Sequence, residues 1–283
     1  MSQIIIQGLV LSGLYALIAV GFTMIFSVGR VLNLAYGVYI MLGGYVYYQF
    51  VQVWHWPKIA GLVMAVLAGA VFAVAIYQVL VKRLEDNPVA VEISTLILAV
   101  VMQSAIILVF SEASRTMWPF VNGVWRYGGI SVTYNIILAT LVSWIILAGL
   151  MVFVRKTHLG RAIQAVSMDR KGAMISGINP RQISMITWAI SGALGAVAGV
   201  FLATYTQLNP GMWVAPLIIA VAVVVIGGIG SILGSLIVAH IIGFAETITT
   251  SLLAAELRGV FTMAMIIIIL VVAPKGLFGR EEL

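Results

Sequence analysis

Side chains able to do covalent chemistry are few in this sequence, and their spacing excludes more than it offers. The 283 residues include no cysteine, which removes disulfide, thiolate and cysteine-based zinc chemistry. His55, His158 and His240 lie far apart and form no ligand-spaced cluster for a metal. No nucleophile–base pairing and no carboxylate dyad stands out. A phosphate cradle needs Gly-x-x-x-x-Gly-Lys-Ser/Thr after a strand, and the Gly-rich stretch 227–234 has neither the lysine nor the strand, so the chain does not read as binding ATP. What remains are polar residues inside apolar runs, which are costly there and therefore functional candidates: Asn33, Glu92, Thr95, Gln103, Gln207, His240 and Glu246. Glu92 and Gln207 fall near the ends of their runs, within reach of headgroups. Glu246 shares a helix face with Gly243, Thr247 and Thr250. It reads either as a buried hydrogen bond between helices or as part of a solute pathway, and a neutral solute needs no intramembrane carboxylate.

The elements that must position these residues follow from composition. The chain is 63% hydrophobic and 8% charged, with a mean hydropathy of +1.15, whereas a soluble domain is about half apolar and a quarter charged. So few charges cannot coat a globule of this size, which excludes a water-soluble enzyme. Apolar runs recur at 3–28, 34–54, 58–81, 91–111, 133–154, 184–206, 213–227, 231–252 and 258–273, against the roughly 20 residues a crossing helix needs. Prolines 57, 88, 119, 180, 210 and 274 fall between runs, Pro216 lies near a helix start, and Asn209-Pro210-Gly211 predicts a tight turn. The expected fold class is an all-α polytopic membrane protein of eight or nine transmembrane helices, one domain over 1–283. The break Gly227-Gly228-Ile229-Gly230-Ser231 is either a loop between two spans or an unwound, re-entrant turn. Gly195-x-x-x-Gly199 and Gly230-x-x-x-Gly234 fit close helix approach.

The net charge of +6 is an orientation signal rather than a nucleic-acid signal, because the cations are sparse and lie between apolar runs. Residues 1–28 lack a basic leader and read as an uncleaved first span with the N-terminus outside. The inner connections then hold Arg30, Lys82, Arg83, Arg155, Lys156, Arg161, Arg170, Lys171, Arg181, Lys275 and Arg280, against Lys58, Arg115, Arg126 and Arg258 outside. That asymmetry places the C-terminus inside. Trp54, Trp56, Trp118, Trp125, Tyr127 and Trp213 fall at the opposite face, where interfacial anchoring accounts for them better than a ligand cage.

The one sizeable polar segment is 155–183. Ala162, Ala165, Val166, Met168 and Ala173 supply an apolar stripe, bordered by Arg161, Gln164, Asp169 and Arg170, with Gly172 and Gly177 breaking the run. A lipid-lying helix wants Leu, Phe or Trp. A stripe made mainly of alanine also suits a protein groove, so a lipid-facing helix and a docking helix both stay open on residues alone.

At these residues the chain resembles the LivH-type permeases of branched-chain amino acid ABC importers. GLYALIAVGFTMIFSVGRVLNLAYGVYIMLGGYV at 13–46, with Asn33, Ala35 and Gly37, is similar to the family's first signature. STLILAVVMQ at 94–103, GRAIQAVSMDRKGAMISGIN at 160–179, WAISGALGAVAG at 188–199, VIGGIGSILGSLIVAHIIGFAE at 225–246 and APKGLFG at 273–279 follow in order. Tyr36 stands where the family usually has the His of Asn-x-Ala-His-Gly, and Ile219-Ala220-Val221 stands where it often has Lys-Ala-Phe. Both departures leave substrate identity open, since related permeases also serve urea and short amides. The resemblance implies a non-catalytic permease subunit of an ATP-driven importer, multi-pass in the inner membrane, translocating branched-chain or other small amino acids. It implies a second permease of similar fold (a heterodimer or a homodimer), two cytoplasmic ATPase subunits that hold ATP and Mg, and an extracytoplasmic solute-binding protein. This chain would bind no cofactor and no nucleic acid. Gly160, Arg161, Ala162, Asp169, Gly177, Ile178 and Asn179 match the coupling loop that meets the ATPase. Asn33, Tyr36, Gln103, Gly227, Gly228, Gly230 and Glu246 are the candidates for the translocation path or for helix packing. A stand-alone secondary transporter or channel would need paired intramembrane carboxylates or a carbonyl filter, and Glu246 is a lone carboxylate. A membrane-embedded enzyme lacks a catalytic set.

Overall fold

Backbone N–H and C=O groups in hydrocarbon have only one another for partners, so long apolar runs fold as helices. The computed structural model describes residues 2–127, 130–228, 230–252, 259–273 and 276–278. Each of the nine apolar runs falls on a helix: α1 (Ser2–Gly29), α2 (Tyr36–Tyr48), α3 (Lys58–Ile76), α5 (Pro88–Phe110), α6 (Tyr134–Lys156), α9 (Pro180–Thr206), α10 (Val214–Gly227), α11 (Ile232–Leu252) and α12 (Val260–Val272). Single π-helical turns extend α2 over Gln49–Val53 and α3 over Tyr77–Val81, and the latter leads into the short α4 (Lys82–Leu84). The polar segment forms α7 (His158–Met168) and α8 (Arg170–Ile175).

Six segments among the described residues are long and apolar enough to cross a membrane: Ile4–Gly29, Lys58–Leu84, Pro88–Phe110, Tyr134–Lys156, Pro180–Thr206 and Ile232–Leu252. Val214–Gly227 and Val260–Ile269 are apolar but shorter. The sequence reading missed one element. Between the apolar runs that end at 111 and begin at 133 lies a strand pair that run spacing does not predict: β1 (Val124–Tyr127) pairs antiparallel with β2 (Ile130–Thr133), Val124 opposite Thr133. Its β-branched and aromatic residues suit a half-exposed strand pair. Arg258, Lys275, Arg280, Ile229 and positions 274 and 279 of the 273–279 motif lie outside the described residues.

The chain clusters into two compact units, one from 1–23, 119–147 and 218–283, the other from 24–118 and 148–217. In the second unit, α2 is apolar on all sides and is buried on nearly all of them. It packs against α3 and α9 through glycines. A Cβ at Gly43 would meet the backbone of Ala196, one at Gly199 the backbone of Ile40, and one at Gly69 the carbonyl of Gly192. Side chains at these points would hold the helix axes apart. In the first unit, Gly8 faces Phe244 and Gly243 faces the backbone of Ser12, so α1 and α11 approach equally closely.

Candidate functional site

The expected docking segment folds as two helices meeting at a single-residue corner. Thr157 caps α7 by accepting from the Gly160 N–H (2.9 Å), one of the donors every helix start leaves unpaired. Gly160 itself lies against the backbone of Phe153 and Val154, where a Cβ would collide. The buried face of α7 is Gly160, Ile163 and Val166. This corrects the predicted stripe: Val166 and Ala173 are buried, Ala162 and Ala165 only partly, and Met168 is exposed. The i, i+3 spacing of 160, 163 and 166 selects that face. The break falls at Asp169 rather than at Gly172. Asp169 has an extended backbone, ends α7 through its N–H to the Ala165 carbonyl (3.0 Å), and caps α8 by accepting from the Lys171 N–H (2.9 Å).

Gly177 closes α8. The Ile178 N–H donates to the Ala173 carbonyl and the Gly177 N–H to Met174, both at 3.0 Å. This is the double bond of a left-handed helix stop, and Gly177 has φ +79°. Asn179 then caps α9, accepting from the N–H groups of Arg181 (3.1 Å) and Gln182 (3.4 Å), with Pro180 in the first turn. Arg161 is exposed, with its guanidinium 3.2 Å from His158 Nδ1. An open groove of about 630 Å³ runs beside the corner, lined by Glu85, Arg170, Met174, Ile178, Asn179 and Arg181. Arg170 bridges to Glu85 at 2.9 Å, and Arg30 donates to the Met168 carbonyl at 3.4 Å. Arg30, the 82–87 connection and the polar segment, all predicted to share one side, therefore meet on one face of this unit.

The connections predicted for the other side also meet. Arg115 donates to the Tyr48 hydroxyl (2.7 Å) and to the Phe110 carbonyl, and exchanges both backbone hydrogen bonds with Leu208. Gln52 donates to the Thr116 carbonyl (3.1 Å) and accepts from the Trp118 N–H (3.3 Å). The expected Asn209 turn is present, its side chain accepting from the Gly211 N–H. Trp54, Trp56, Trp118 and Trp125 are exposed, as interfacial anchors should be. Trp213 corrects that expectation. It is 6% exposed and donates its indole N–H to Gln103 Oε1 at 2.7 Å, since a buried indole needs an acceptor.

A non-helical stretch, residues 30–35, separates α1 from α2. Asn33 is fully buried there. Its Oδ1 accepts from the Ala35 N–H (3.1 Å) and its Nδ2 donates to the Tyr39 hydroxyl (2.9 Å). The Leu34 N–H donates to Thr95 Oγ1 on α5 (3.1 Å). Tyr36 and Tyr39 pack edge to face, with Ser191 of α9 beside the Tyr36 hydroxyl. Asn33 and Tyr36 thus come together, and Gln103 bonds Trp213, whose backbone lies against Gly37 beside Tyr36.

Glu246 belongs to the other unit. It is 1% exposed, and both of its oxygens accept from hydroxyls: Tyr15 on α1 at 2.6 Å and Thr262 on α12 at 3.0 Å. Thr247 and Thr250, expected to share its face, bond back to the carbonyls of Gly243 and Glu246 on their own helix. His240 donates to the Leu236 carbonyl and packs against Trp144. At the Gly-rich break, Gly228 (φ +91°) and Gly230 (φ +79°) adopt left-handed conformations. Gly234 approaches the Gly227 carbonyl, so its close partner is Gly227, and Gly230 serves the turn. Tyr15, Thr262, Ser191, Glu85 and Trp213 were not legible as site residues. Each is ordinary in its own run and gains meaning only from a partner far away in sequence.

The family described as "Branched-chain amino acid transport system / permease component" matches residues 4–270. The high-affinity branched-chain amino acid transport system permease protein LivH of Escherichia coli is 30% identical over 295 residues, covering 99% of this chain and 96% of its own. The corresponding permease protein BraD of Pseudomonas aeruginosa is 28% identical over the same shares. The ribose import permease protein RbsC of Haemophilus influenzae is 26% identical over 277 residues, 95% of this chain and 83% of its own. No solved structure matches the chain.

Proposed function

We propose that this chain, which belongs to the family of permease components of branched-chain amino acid transport systems, is the membrane-embedded subunit through which an ATP-driven importer passes branched-chain or similarly small amino acids. The observation that carries the reading is the similarity to LivH and BraD, which covers 99% of the chain and 96% of each relative. Residues 1–283 act as one permease domain. A second permease of similar fold, two cytoplasmic ATPase subunits binding ATP and Mg, and an extracytoplasmic solute-binding protein complete the importer.

The N-terminus lies outside, and the coupling loop and C-terminus are cytoplasmic. The meeting of Arg30, 82–87 and 155–181 on one face supports that topology, as does the meeting of 52–56, 115–118 and 208 on another. Termini on opposite sides require an odd number of crossings, which selects nine from the eight or nine expected. The 14 residues of α10 reach about 21 Å at 1.5 Å each. This is short of a hydrocarbon core of about 30 Å, which supports a broken segment at Gly227, Gly228 and Gly230.

The α7–α8 corner is the coupling element. Its exposed Met168, Met174 and Ile175, flanked by Arg161 and Arg170, give a partner apolar contact inside a cationic rim. Gly160, Ala162, Asp169, Gly177, Ile178 and Asn179 shape it. Alternating access follows when closure of the ATPase pair displaces this corner. We read Asn33 and Tyr36 as setting the start of α2, Gln103 as holding Trp213, and Glu246 as packing, because hydroxyls already occupy both of its oxygens.

The test is uptake of labelled leucine by cells in which the chain is deleted and then restored. ATP-dependent uptake lost and regained supports the reading; uptake unchanged by deletion overturns it. The same cells given labelled urea and acetamide decide whether Tyr36, in place of the family's usual His, accompanies a different substrate.

A further inference from the structure

Three contacts join the coupling corner to the non-helical stretch between α1 and α2 in a closed ring. Arg30, just past the end of α1, has φ +51° and donates to the carbonyl of Met168 at the C-terminus of α7. Arg170, two residues further along the corner, bridges to Glu85 at 2.9 Å. Glu85 lies in the short turn between α4 and α5, with Asn87 capping α5 through the Ala90 N–H and Pro88 opening it. Two turns further along α5, buried Thr95 accepts from the Leu34 N–H at 3.1 Å, and Leu34 lies in the stretch that Arg30 begins.

Each link is of a kind that transmits displacement. Asp169 fixes α7 and α8 to one another by capping both, so the corner moves as one piece. The capped α5 is a rigid rod from Pro88 past Thr95, and Glu85 sits in the turn that leads into it. The Leu34 N–H is an unpaired donor at a helix break, and Thr95 Oγ1 supplies its acceptor. The stretch beyond it carries Asn33, whose side chain holds both the Ala35 N–H and the Tyr39 hydroxyl, and so sets where α2 begins.

We propose that Glu85, Arg170 and Thr95 are positioning residues of the transport cycle, carrying displacement of the coupling corner along α5 to the 30–35 stretch and hence to α2. This rests on the permease reading above. An exposed ion pair contributes little to stability, and the role assigned to this one is to fix the corner to α5. A pair serving that role is sensitive to charge reversal and indifferent to exchange of the two charges.

The experiment uses the whole importer in proteoliposomes, with labelled leucine as the probe and uptake per ATP hydrolysed as the readout. Arg170→Glu and Glu85→Arg, singly, should each lower that ratio about fivefold or more, the low end of measured coupling effects. The double exchange should restore it to within about twofold, as a pairwise interaction requires. Thr95→Val should lower the ratio similarly, and Thr95→Ser, which keeps the hydroxyl, should leave it at the parental value. Single reversals with parental ratios overturn the proposal, as does a double exchange that assembles normally yet stays as uncoupled as the singles. A parent complex that hydrolyses ATP and moves no leucine overturns the substrate reading alone. The same variants are then scored by stimulation of ATPase activity by the solute-binding protein, with the same losses and the same rescue expected.

Discussion

Asp169 and Gly177 show how much of the coupling segment depends on single backbone choices. Asp169 ends one helix and starts the next with its own amide and carboxylate, and Gly177 stops the second in a left-handed conformation. A branched side chain in that conformation costs about 1–2 kcal/mol, whereas asparagine visits it readily. Gly177→Leu should therefore uncouple ATP hydrolysis from uptake while the chain still inserts, and Gly177→Asn should remain coupled. Paired measurement of the two rates decides the point, and coupled uptake by the leucine variant would reject this role. Arg161→Glu reverses an exposed cation whose side chain, among the described residues, bonds His158 alone, so it should uncouple without loss of melting temperature. Glu246 calls for the opposite pattern. Replacing it with leucine removes the acceptor of two buried hydroxyls, a loss of about 2–3 kcal/mol, visible as a lower melting temperature in detergent. Glu246→Gln keeps one carbonyl acceptor and the shape, so it should retain uptake. A stable leucine variant, or a folded glutamine variant without uptake, would return Glu246 to the solute pathway.

Helices were the legible part of this protein and their pairings were not. Lipid leaves a long apolar run one backbone solution, so the nine runs and their proline boundaries could be read directly. Which faces meet depends on side chains remote in sequence. Gly199 illustrates the gap: its motif pointed to close approach, but only the structure shows the Ile40 backbone against it. Gly199→Leu would place a side chain on that backbone, costing at least the 1–3 kcal/mol typical of overpacking. The expected result is loss of folded protein in a fluorescence-detected size-exclusion profile; a normal profile would mean that α2 and α9 are not in contact in the membrane. The polar segment was read correctly as helical, yet its buried face was misassigned because alanine counts as apolar wherever it lies. Ile163, at i+3 from Gly160, was the informative residue. Trp213 was grouped with the exposed tryptophans because residue type alone does not reveal that Gln103 offers its indole an acceptor. The β1–β2 hairpin went unread because four-residue strands within a loop leave little periodic signal.

For the molecule as a whole, charge asymmetry is the basis of the proposed orientation. Arg30 and Arg170, both expected inside, reach the α7–α8 corner, while Arg115 and Leu208, on connections expected outside, pair with one another. Because the chain has no cysteine, single introduced thiols report sidedness without background. Ser176→Cys should react with an impermeant maleimide only in opened cells, and Glu112→Cys should react in intact ones; the reverse pattern would invert the topology. The central claim is that this chain is a passage worked by other subunits and not a transporter in its own right. Purified alone into liposomes with labelled leucine inside or out, it should give no flux above that of empty vesicles, and leucine flux should appear only when the partner permease, ATPase subunits, solute-binding protein and ATP are supplied. Robust leucine flux through the isolated chain would contradict the account.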